Sequence, residues 1–449
     1  MHDDPQFAGL NETIELTEER EPKCSRLIGS AGTGKTYTVK HAAADDPEWG
    51  LLTSTTGISA VNLGAVTLNA TLKYFDTRSM EDAFYQGFLK RILHGIAKKY
   101  RRLVVEEYSM LEAKQLSLLY AAVKEANRFK DVETPLEIML VGDLAQLPPV
   151  PPGQWCFESD YWHHFAGNTT RLERVWRQDG GHFLDALNHL REGDGVAAVA
   201  SLDKLGITWH NARFSDYEGT TILPVNEMVT RHNETALGTV KGPRIRITAR
   251  RWGQQRSEWG ENRRTKEWGI PPVSEYKIGA YVMILSNGRE FEWANGDCGE
   301  IVSAIEQDGR VVGFTIRLVR NGAEVDIMPI VRGVELIDKP EGEFRDVHKT
   351  EDRGDFIPRP HFRGRVKRYV TGQIEYLPIR LAYASTVHKT QSLTLDRVQC
   401  DFRHRFFGQP AMLYTALSRC RTAEGLTLVG DRDRFVQQCS IDRRILPWL

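Results

Sequence analysis

The octapeptide from Gly29 to Thr36 constrains the fold of this chain more than any other segment. It reads Gly-Ser-Ala-Gly-Thr-Gly-Lys-Thr, a complete G-x-x-x-x-G-K-[ST] pattern. Its glycines allow a tight turn that points successive backbone N–H groups at one anion, and a helix beginning near Gly34 adds its dipole. Lys35 is expected at the β- and γ-phosphates of a nucleotide, and the Thr36 hydroxyl at Mg²⁺. The whole loop is therefore a predicted nucleotide site, formed by Gly29, Ser30, Ala31, Gly32, Thr33, Gly34, Lys35 and Thr36.

The composition is that of an ordinary folded protein with more than one domain. The chain has 449 residues, of which 41% are hydrophobic and 27% charged, and this length suits about two to four domains. No apolar run approaches bilayer length and the first residues lack signal-peptide features, so we expect a cytoplasmic protein without a membrane partner. The six cysteines are widely spaced, which favours reduced thiols over a zinc site or disulfides. Because the net charge is −1, nucleic-acid binding would need local basic patches.

The first third of the chain alternates short apolar runs with helical stretches, as in a parallel α/β sheet. Strands are predicted at 26–28, 50–53, 103–105 and 136–141. Residues 80–99 have the pattern of an inserted helical segment, and a proline-rich run near residue 150 closes the unit. We expect a first domain over 1–165, with an insert at about 72–100.

A second α/β unit is predicted from about residue 170, in two parts, 166–240 and 376–449, with strands at 221–223, 378–382 and 426–429. The intervening segment, 241–375, contains Asn-Gly and Asp-Gly dipeptides that favour tight hairpins. A small β insert is expected there, with the charged stretch 340–359 as an exposed loop.

Several polar side chains follow predicted strands at the edge where a parallel sheet binds ligands. Glu106 and Glu107 end an apolar run, so that one carboxylate could hold Mg²⁺ and the next could orient or deprotonate a water. Gln146 follows the next strand and could bond a γ-phosphate. Arg177 and Arg419, in the second unit, could stabilise the charge that develops in phosphoryl transfer.

These segments, taken in chain order, resemble the motifs of superfamily 1 DNA helicases of the RecD/Dda type, the branch that moves 5′→3′ on single strands. The matching segments cover most of the chain and are Gly29–Thr36, Leu52–Ala60, Thr67–Phe75, Val105–Met110, Gly142–Val150, Leu172–Gln178, Ser385–Thr394 and Tyr414–Thr422. The turn-rich stretch Ile278–Val302 is similar to the start of the SH3-like insert of that family.

The resemblance implies an α/β fold with two RecA-like parallel-sheet P-loop domains, a small helical or pin insert in the first and an SH3-like β insert in the second. It implies a monomeric helicase that uses ATP and Mg²⁺, with Thr36 and Glu106 as metal ligands and single-stranded DNA and ss/ds junctions as partners. The catalytic set would be Lys35, Glu106, Glu107, Gln146, Arg177 and Arg419, and Gln391 would join the nucleotide contacts. The expected DNA contacts are Thr55, Thr56, Thr67, Asn69, His388, Lys389 and Thr390. Trp252 and Trp259 are added to them from the basic, tryptophan-rich segment 241–268.

Four positions depart from the family pattern. Glu106 stands where the family has Asp, so a longer side chain would hold Mg²⁺. Asn69 replaces a usual His and Ser392 a usual Gly, both near the expected DNA path. The glutamine that reads adenine has no clear counterpart near Leu10-Asn11-Glu12.

Two further segments are candidates for work on DNA. Residues 241–268 carry nine Lys/Arg against three Glu, interleaved with three tryptophans. Basic residues follow phosphates and aromatic faces stack bases, although a solvated loop whose tryptophans pack on the insert fits equally well. Within residues 75–99, Phe84, Tyr85 or Phe88 could form the tip of a duplex-splitting pin.

Other functions stay open at this stage. A DNA-stimulated ATPase could displace proteins and unwind little, and superfamily 1 also contains RNA helicases. A catalytically weak, nucleotide-gated DNA-binding protein would fit Glu106 and Ser392. Polarity rests on the family resemblance, and the compact length hints at a bacterial, phage or mobile-element protein with replication or repair partners.

Overall fold

The computed structural model describes residues 20–74, 76–149, 153–176, 181–214, 217–253, 271–286, 288, 292–293, 296–337, 341–345, 361–365 and 368–449. In this part of the chain, no helix combines the length and the apolar character needed to cross a bilayer. All six cysteines are free thiols.

A six-stranded parallel sheet forms the first unit, in the order β3-β2-β4-β5-β1-β6. Its strands are β1 (Cys24–Ile28), β2 (Leu51–Ser54), β3 (Val66–Thr67), β4 (Arg102–Glu106), β5 (Glu137–Gly142) and β6 (Thr169–Arg171). Leu103, Val104 and Val105 are fully buried, because helices cover both faces of a parallel sheet and favour continuous apolar runs. The four strands predicted here are confirmed to within one or two residues at each end.

Seven helices of the described chain accompany this sheet. They are α1 (Lys35–Asp45), α2 (Gly57–Asn62), α3 (Leu68–Leu72), α4 (Thr77–Tyr85), α5 (Phe88–Ala97), α6 (Ala113–Ala126) and α7 (Trp162–Ala166). The predicted helical insert is the pair α4 and α5, which packs on α6 through Met80, Leu89 and Leu93. Asp76 caps α4 by accepting from the backbone N–H of Ser79 at 2.8 Å.

The edge strand β6 corrects the predicted domain boundary. A second unit was expected to begin by residue 166, but Thr169–Arg171 pairs in parallel with β1. The first sheet therefore extends past residue 165. Polar, exposed residues form this strand, so its apolar pattern is too weak to assign it to either unit from sequence.

The second unit begins with helices α8 (His182–Glu192) and α9 (Gly195–Lys204), strands β7 (Trp209–His210) and β8 (Thr220–Leu223), and helix α10 (Asn226–Thr239). The β insert then follows. Its strands are β9 (Ile245–Thr248), β10 (Arg250–Gly253), β11 (Val273–Tyr276), β12 (Tyr281–Ile284), β13 (Cys298–Gln307), β14 (Arg310–Leu318), β15 (Glu324–Ile327), β16 (Ile330–Ile337), β17 (Glu341–Arg345), β18 (His361–Arg365), β19 (Arg368–Tyr376) and β20 (Ile379–Leu381).

The insert is antiparallel and has its own core. Strands β15-β14-β13-β12-β20 form one sheet, whose buried side chains include Val282, Ile301 and Phe314. The β13–β14 hairpin turns at Asp308-Gly309, where both residues have positive φ, 51° and 70°. This is the backbone that an Asp-Gly dipeptide favours in a two-residue hairpin, so the turn prediction is confirmed there.

Two expectations in this region were wrong. The strand predicted at 378–382 belongs to the insert, because β20 pairs with β12 rather than with the second parallel sheet. Part of the charged stretch 340–359, expected as a loop, is strand β17 paired with β18. A strand made of charged residues has no alternation of apolar and polar residues from which it could be predicted. Whether it forms depends on the strand with which it pairs. Residues 346–360 lie outside the described part of the chain.

The second parallel sheet is completed after the insert, in the order β21-β8-β22-β23-β7. The added strands are β21 (Ala384–Thr386), β22 (Val398–Asp401) and β23 (Leu426–Val429), and the helices are α11 (Val387–Thr390), α12 (Met412–Leu417) and α13 (Arg432–Gln438). One hydrophobic cluster contains both Leu140 of the first sheet and Leu428 of the second. The two α/β units therefore share a buried interface, and the candidate site lies at it.

Candidate nucleotide site between the two sheets

The phosphate loop connects β1 to α1, as its glycines require. Gly32 and Gly34 have φ of 84° and 86°, a region that residues with a side chain rarely adopt. Gly29 is confined in another way, since a Cβ there would lie 2.6 Å from the carbonyl oxygen of Leu172. The Lys35 ammonium donates to the carbonyls of Gly29 and Ser30 at 2.7 and 2.8 Å, so it lies over the loop.

Glu106 lies beside this loop at the end of β4. One carboxylate oxygen accepts from the Thr36 hydroxyl and the other from the Ser59 hydroxyl of α2. Burial, followed by the charge of Glu107, raises the pKa of Glu106 to about 7, against the opposing effect of the two hydroxyls and Lys35. The predicted pair Thr36 and Glu106 is therefore in direct contact. Ser59 was not predicted, and its segment gave no signal beyond its place in a motif.

Glu107 points across the interface. Its carboxylate accepts from the Ser392 hydroxyl at 2.5 Å and from the Gln391 side-chain amide at 3.3 Å, both in the second unit. Glu107 has φ of 56° although it is not a glycine, and this turn directs it away from Glu106. The two neighbouring glutamates thus face different partners.

Asp143 and Gln146 follow β5 at the same edge of the first sheet. Asp143 is buried and accepts a bidentate ion pair from Arg191 of α8, with N–O distances of 3.0 to 3.2 Å. Burial opposes ionisation, but the charges of Arg191 and Lys35 hold the pKa of Asp143 below its ordinary value. Gln146 is buried, and its Oε1 has no hydrogen-bond partner within the described chain.

Tyr414 of α12 joins the second unit to the phosphate loop. Its hydroxyl accepts from the backbone N–H of Ala31 at 2.8 Å and donates to Asp143 at 2.9 Å. Sequence reasoning missed the roles of Tyr414, Asp143 and Arg191. The first two lay inside quoted motifs, but nothing in the sequence indicated that they touch.

Arg419 is a buried cation at this interface. Its guanidinium donates to the Thr415 carbonyl at 2.9 Å and the Ser418 hydroxyl at 2.8 Å, and no carboxylate of the described residues lies within ion-pair distance. Burial lowers its pKa, and the charge of Glu107 partly offsets this. A buried charge without a direct ion pair is costly, so an anion such as a phosphate fits this place. Arg177 lies outside the described residues.

Trp176, next to Arg177, is a further residue that sequence reasoning did not single out. Its backbone N–H donates to Gly32 at 2.8 Å, and its indole is 66% exposed. The Arg174 guanidinium stacks on that indole, 3.8 Å from the ring centroid. The sequence feature that could have identified Trp176 is the position of an aromatic residue directly before the candidate Arg177.

The threonines predicted to touch DNA in the first unit are engaged in local structure. The Thr55 hydroxyl donates to the carbonyl of Glu107 at 2.7 Å. Thr56 accepts from the Ser59 N–H, and Thr67 caps α3 by accepting from Ala70, both at 3.2 Å. Asn69 is half-buried on α3. These residues are half-buried. The hydrogen bonds of Thr56 and Thr67 to backbone N–H groups account for threonine at these positions without a ligand.

The residues of the second unit that were predicted to contact DNA differ in their exposure to solvent. His388 is exposed and Lys389 half-buried, whereas Thr390 is buried with its hydroxyl donating to Val387 at 2.9 Å. Arg380, which was not predicted, lies beside them and donates to the Lys389 carbonyl at 3.4 Å. Burial lowers the pKa of Arg380 to about 10, and burial with the Arg380 charge lowers that of Lys389. Two adjacent cations make a place for an anion here.

The remaining DNA candidates are less defined. Trp252 lies in β10, opposite Gln373 in the strand pairing, and Trp259 lies outside the described residues. Phe84, Tyr85 and Phe88 are half-buried around the turn between α4 and α5. Phe84 packs partly on the core, so this turn is less exposed than a projecting tip.

A phosphate loop on one parallel sheet, contacted by a residue of a second parallel-sheet unit, is typical of two-domain P-loop nucleotide motors. The AAA domain family matches residues 12–211. The ATP-dependent DNA helicase Pif1 of Bdellovibrio bacteriovorus is 28% identical over 421 residues, or 91% of this chain and 85% of that protein. The ATP-dependent DNA helicase PIF1 of Rattus norvegicus is 27% identical over 94% of this chain, which spans only 60% of that relative.

Solved structures agree with the fold. The crystal structure of Pif1 helicase from Candida albicans superposes with a TM-score of 0.71 at 21% identity, over 95% of both chains. That of Bacteroides Pif1 bound to ssDNA gives 0.63, over 95% of this chain and 93% of the other. The expected fold is confirmed, and in sequence the chain is similar to ATP-dependent DNA helicases of the Pif1 type.

Proposed function

We propose that this protein is an ATP-dependent DNA helicase or translocase that moves 5′→3′ on single-stranded DNA. The observation that supports it most is the convergence of both units on the phosphate loop. Ala31 bonds Tyr414 and Glu107 bonds Ser392, so each sheet contributes groups to one cleft. Such a cleft can close on a nucleotide and reopen after hydrolysis, which moves the two units relative to each other.

The residues of the cleft fit ATP and Mg²⁺. Lys35 and the loop amides would hold the phosphates, and the oxygens of Thr36 and Glu106 suit a hard cation. Mg²⁺ would shield the phosphate charge, and its own charge would favour the ionised form of Glu106. A phosphate would give a partner to Oε1 of Gln146, which has no hydrogen bond within the described chain, and an ion pair to the buried Arg419.

The proposed roles follow from these positions. Glu107 would orient and deprotonate the attacking water, and Gln146 and Gln391 would contact the terminal phosphate or the water. Arg419, with Arg177, would stabilise the charge of phosphoryl transfer. The exposed indole of Trp176 next to the loop would stack on the base.

Single-stranded DNA would lie across both units. His388, Lys389 and Arg380 offer the cationic contacts of the second unit, and Thr55, Thr56, Thr67 and Asn69 mark the first. Bacteroides Pif1 has been crystallised with ssDNA, and another structural relative is described as two coordinating Pif1 helicases at forked dsDNA. We propose a monomer as the basic unit, a cytoplasmic location, and replication or repair proteins as partners.

A nucleotide-gated DNA-binding protein with weak catalytic activity is the second candidate function. It is favoured by Glu106, whose two oxygens are both engaged by Thr36 and Ser59 hydroxyls. A cation would have to displace at least one of these bonds.

Steady-state ATP hydrolysis with and without single-stranded DNA tests the proposal, with Lys35→Ala as the control. We expect strong stimulation by DNA that is lost in the variant, followed by unwinding of duplexes with a 5′ tail but not a 3′ tail. Stronger stimulation by RNA than by DNA oligonucleotides in the same assay would indicate an RNA helicase. Displacement of a bound protein without unwinding would indicate an ATPase that removes proteins from single strands. DNA binding without turnover would refute the motor and support the nucleotide-gated binder.

A further inference from the structure

The contact between Glu107 and Ser392 joins the proposed catalytic base to the second unit. The two residues are 285 positions apart, and the Ser392 hydroxyl donates to Oε1 of Glu107 at 2.5 Å. The Gln391 amide donates to Oε2 of the same carboxylate at 3.3 Å. Both oxygens of Glu107 therefore accept a hydrogen bond from one short segment of the other unit. Glu107 itself is only 7% exposed, so bulk water competes little for these bonds.

The backbone at this contact is unusual on both sides. Ser392 has φ of 64° and Glu107 has φ of 56°, values that favour glycine. The helicase pattern that this chain resembles has glycine at the position of Ser392, and glycine would adopt this φ without strain. A serine held in the same conformation contributes a hydroxyl, and the structure shows that hydroxyl on Glu107.

The same segment carries the cationic DNA candidates. Helix α11 contains His388, which is exposed, and Lys389, which is half-buried, and Gln391 and Ser392 follow within three residues. Arg380 donates to the carbonyl of Lys389 at 3.4 Å and to the Ser385 hydroxyl at 3.4 Å, which ties its charge to this helix. A phosphate that binds these cations would pull on the segment that holds Glu107.

We propose that Ser392 is a brake on ATP hydrolysis that single-stranded DNA releases. In hydrolysis the water oxygen bonds the terminal phosphorus, its proton passes to Glu107, and the phosphoanhydride P–O bond breaks to leave ADP. A hydrogen bond from Ser392 occupies the Glu107 oxygen that must accept that proton, so it slows the step. DNA binding at α11 withdraws the hydroxyl. This inference rests on the proposed function and adds the route by which DNA stimulates turnover.

Two substitutions separate the hydroxyl from the backbone strain. Ser392→Ala removes the hydroxyl but keeps a Cβ at positive φ, whereas Ser392→Gly removes both. A hydrogen bond to a charged group changes an equilibrium or rate constant by about tenfold or more. We therefore expect each variant to raise the ATPase rate without DNA about tenfold. The rate at saturating DNA should change less than twofold, so the stimulation ratio falls about tenfold.

Asp308→Gly is the matched control for strain, since Asp308 also has positive φ, 51°, but lies in a hairpin of the β insert. Its basal and stimulated rates should equal those of the wild type. The brake is refuted if both Ser392 variants keep the wild-type ratio, or if they lower the two rates equally, which would indicate a structural role. A melting curve for each variant verifies folding. If the wild-type protein itself shows no DNA-stimulated turnover, the proposed function fails, and the brake fails with it.

Discussion

Replacing Glu106 by Gln should stabilise the folded protein while removing the proposed Mg²⁺-dependent ATP turnover. Glu106 is 4% exposed and lies beside Glu107, so its negative charge is poorly solvated and repelled. Gln has nearly the same shape, and it can accept from one of the two hydroxyls of Thr36 and Ser59 and donate to the other. The substitution therefore removes the charge and keeps the packing.

The size of the effect follows from the pKa. The pKa of Glu106 is raised from an ordinary value of 4.5 to about 7 in the folded protein. Between these values the unfolded chain is ionised while the folded chain holds the proton, so the free energy of unfolding falls as the pH rises through this window. Each pKa unit corresponds to about 1.4 kcal/mol, which makes the penalty about 3 kcal/mol at pH 8 and close to zero at pH 4.5.

Unfolding midpoints in urea, measured without nucleotide from pH 5 to pH 8.5, would test this. The fluorescence of the ten tryptophans, of which Trp155 and Trp162 are buried in the first unit, reports on unfolding. We expect the midpoint of the Glu106→Gln variant to exceed that of the wild type by a gap that grows up to about pH 7 and is then constant. Glu227→Gln, at an exposed ion pair with Arg231, should change stability by less than about 0.5 kcal/mol.

Equal midpoints of the Glu106→Gln variant and the wild type at pH 8 would refute the reasoning. A gap that is the same at pH 5 and pH 8 would also refute it, because the effect would then come from packing rather than from charge. ATP turnover of the variant with Mg²⁺ should fall to the level of Lys35→Ala, since a neutral amide lacks the negative charge of the carboxylates that usually hold Mg²⁺.

Two further substitutions test the interface between the sheets. Tyr414→Phe removes the hydroxyl that joins the Ala31 N–H to Asp143, so we expect the KM for ATP to rise about tenfold in steady-state assays; an unchanged KM and kcat would mean that this bond does not position the loop. Arg419→Lys keeps the charge but loses the planar fork, and we expect kcat to fall by a factor of about 10³. Titration with a fluorescent nucleotide should show nearly unchanged binding, whereas loss of binding as well would assign Arg419 a structural role.

Local patterns were sufficient for much of the fold. Strands β1, β2, β4 and β5 of the first sheet were predicted because buried parallel strands are continuous apolar runs. The phosphate loop was predicted because its backbone conformation requires glycines. The Asp308-Gly309 hairpin followed from the same kind of local preference. Elements without a strong local pattern were misassigned, as β6 and β20 show, because the sheet that a short strand joins depends on the strands beside it.

The class of chemistry can be predicted from the order of residues alone, from a phosphate loop, acidic side chains at strand ends and arginines in a second unit. Which of these groups meet depends on the packing of the folded chain. Tyr414 reaches Asp143 across 271 positions, and Ser392 reaches Glu107 across 285. Periodicity and motif spacing reflect local conformation along the chain. The contacts of Tyr414 and Ser392 depend instead on how the two sheets pack against each other. That packing is determined by all the side chains of the buried interface.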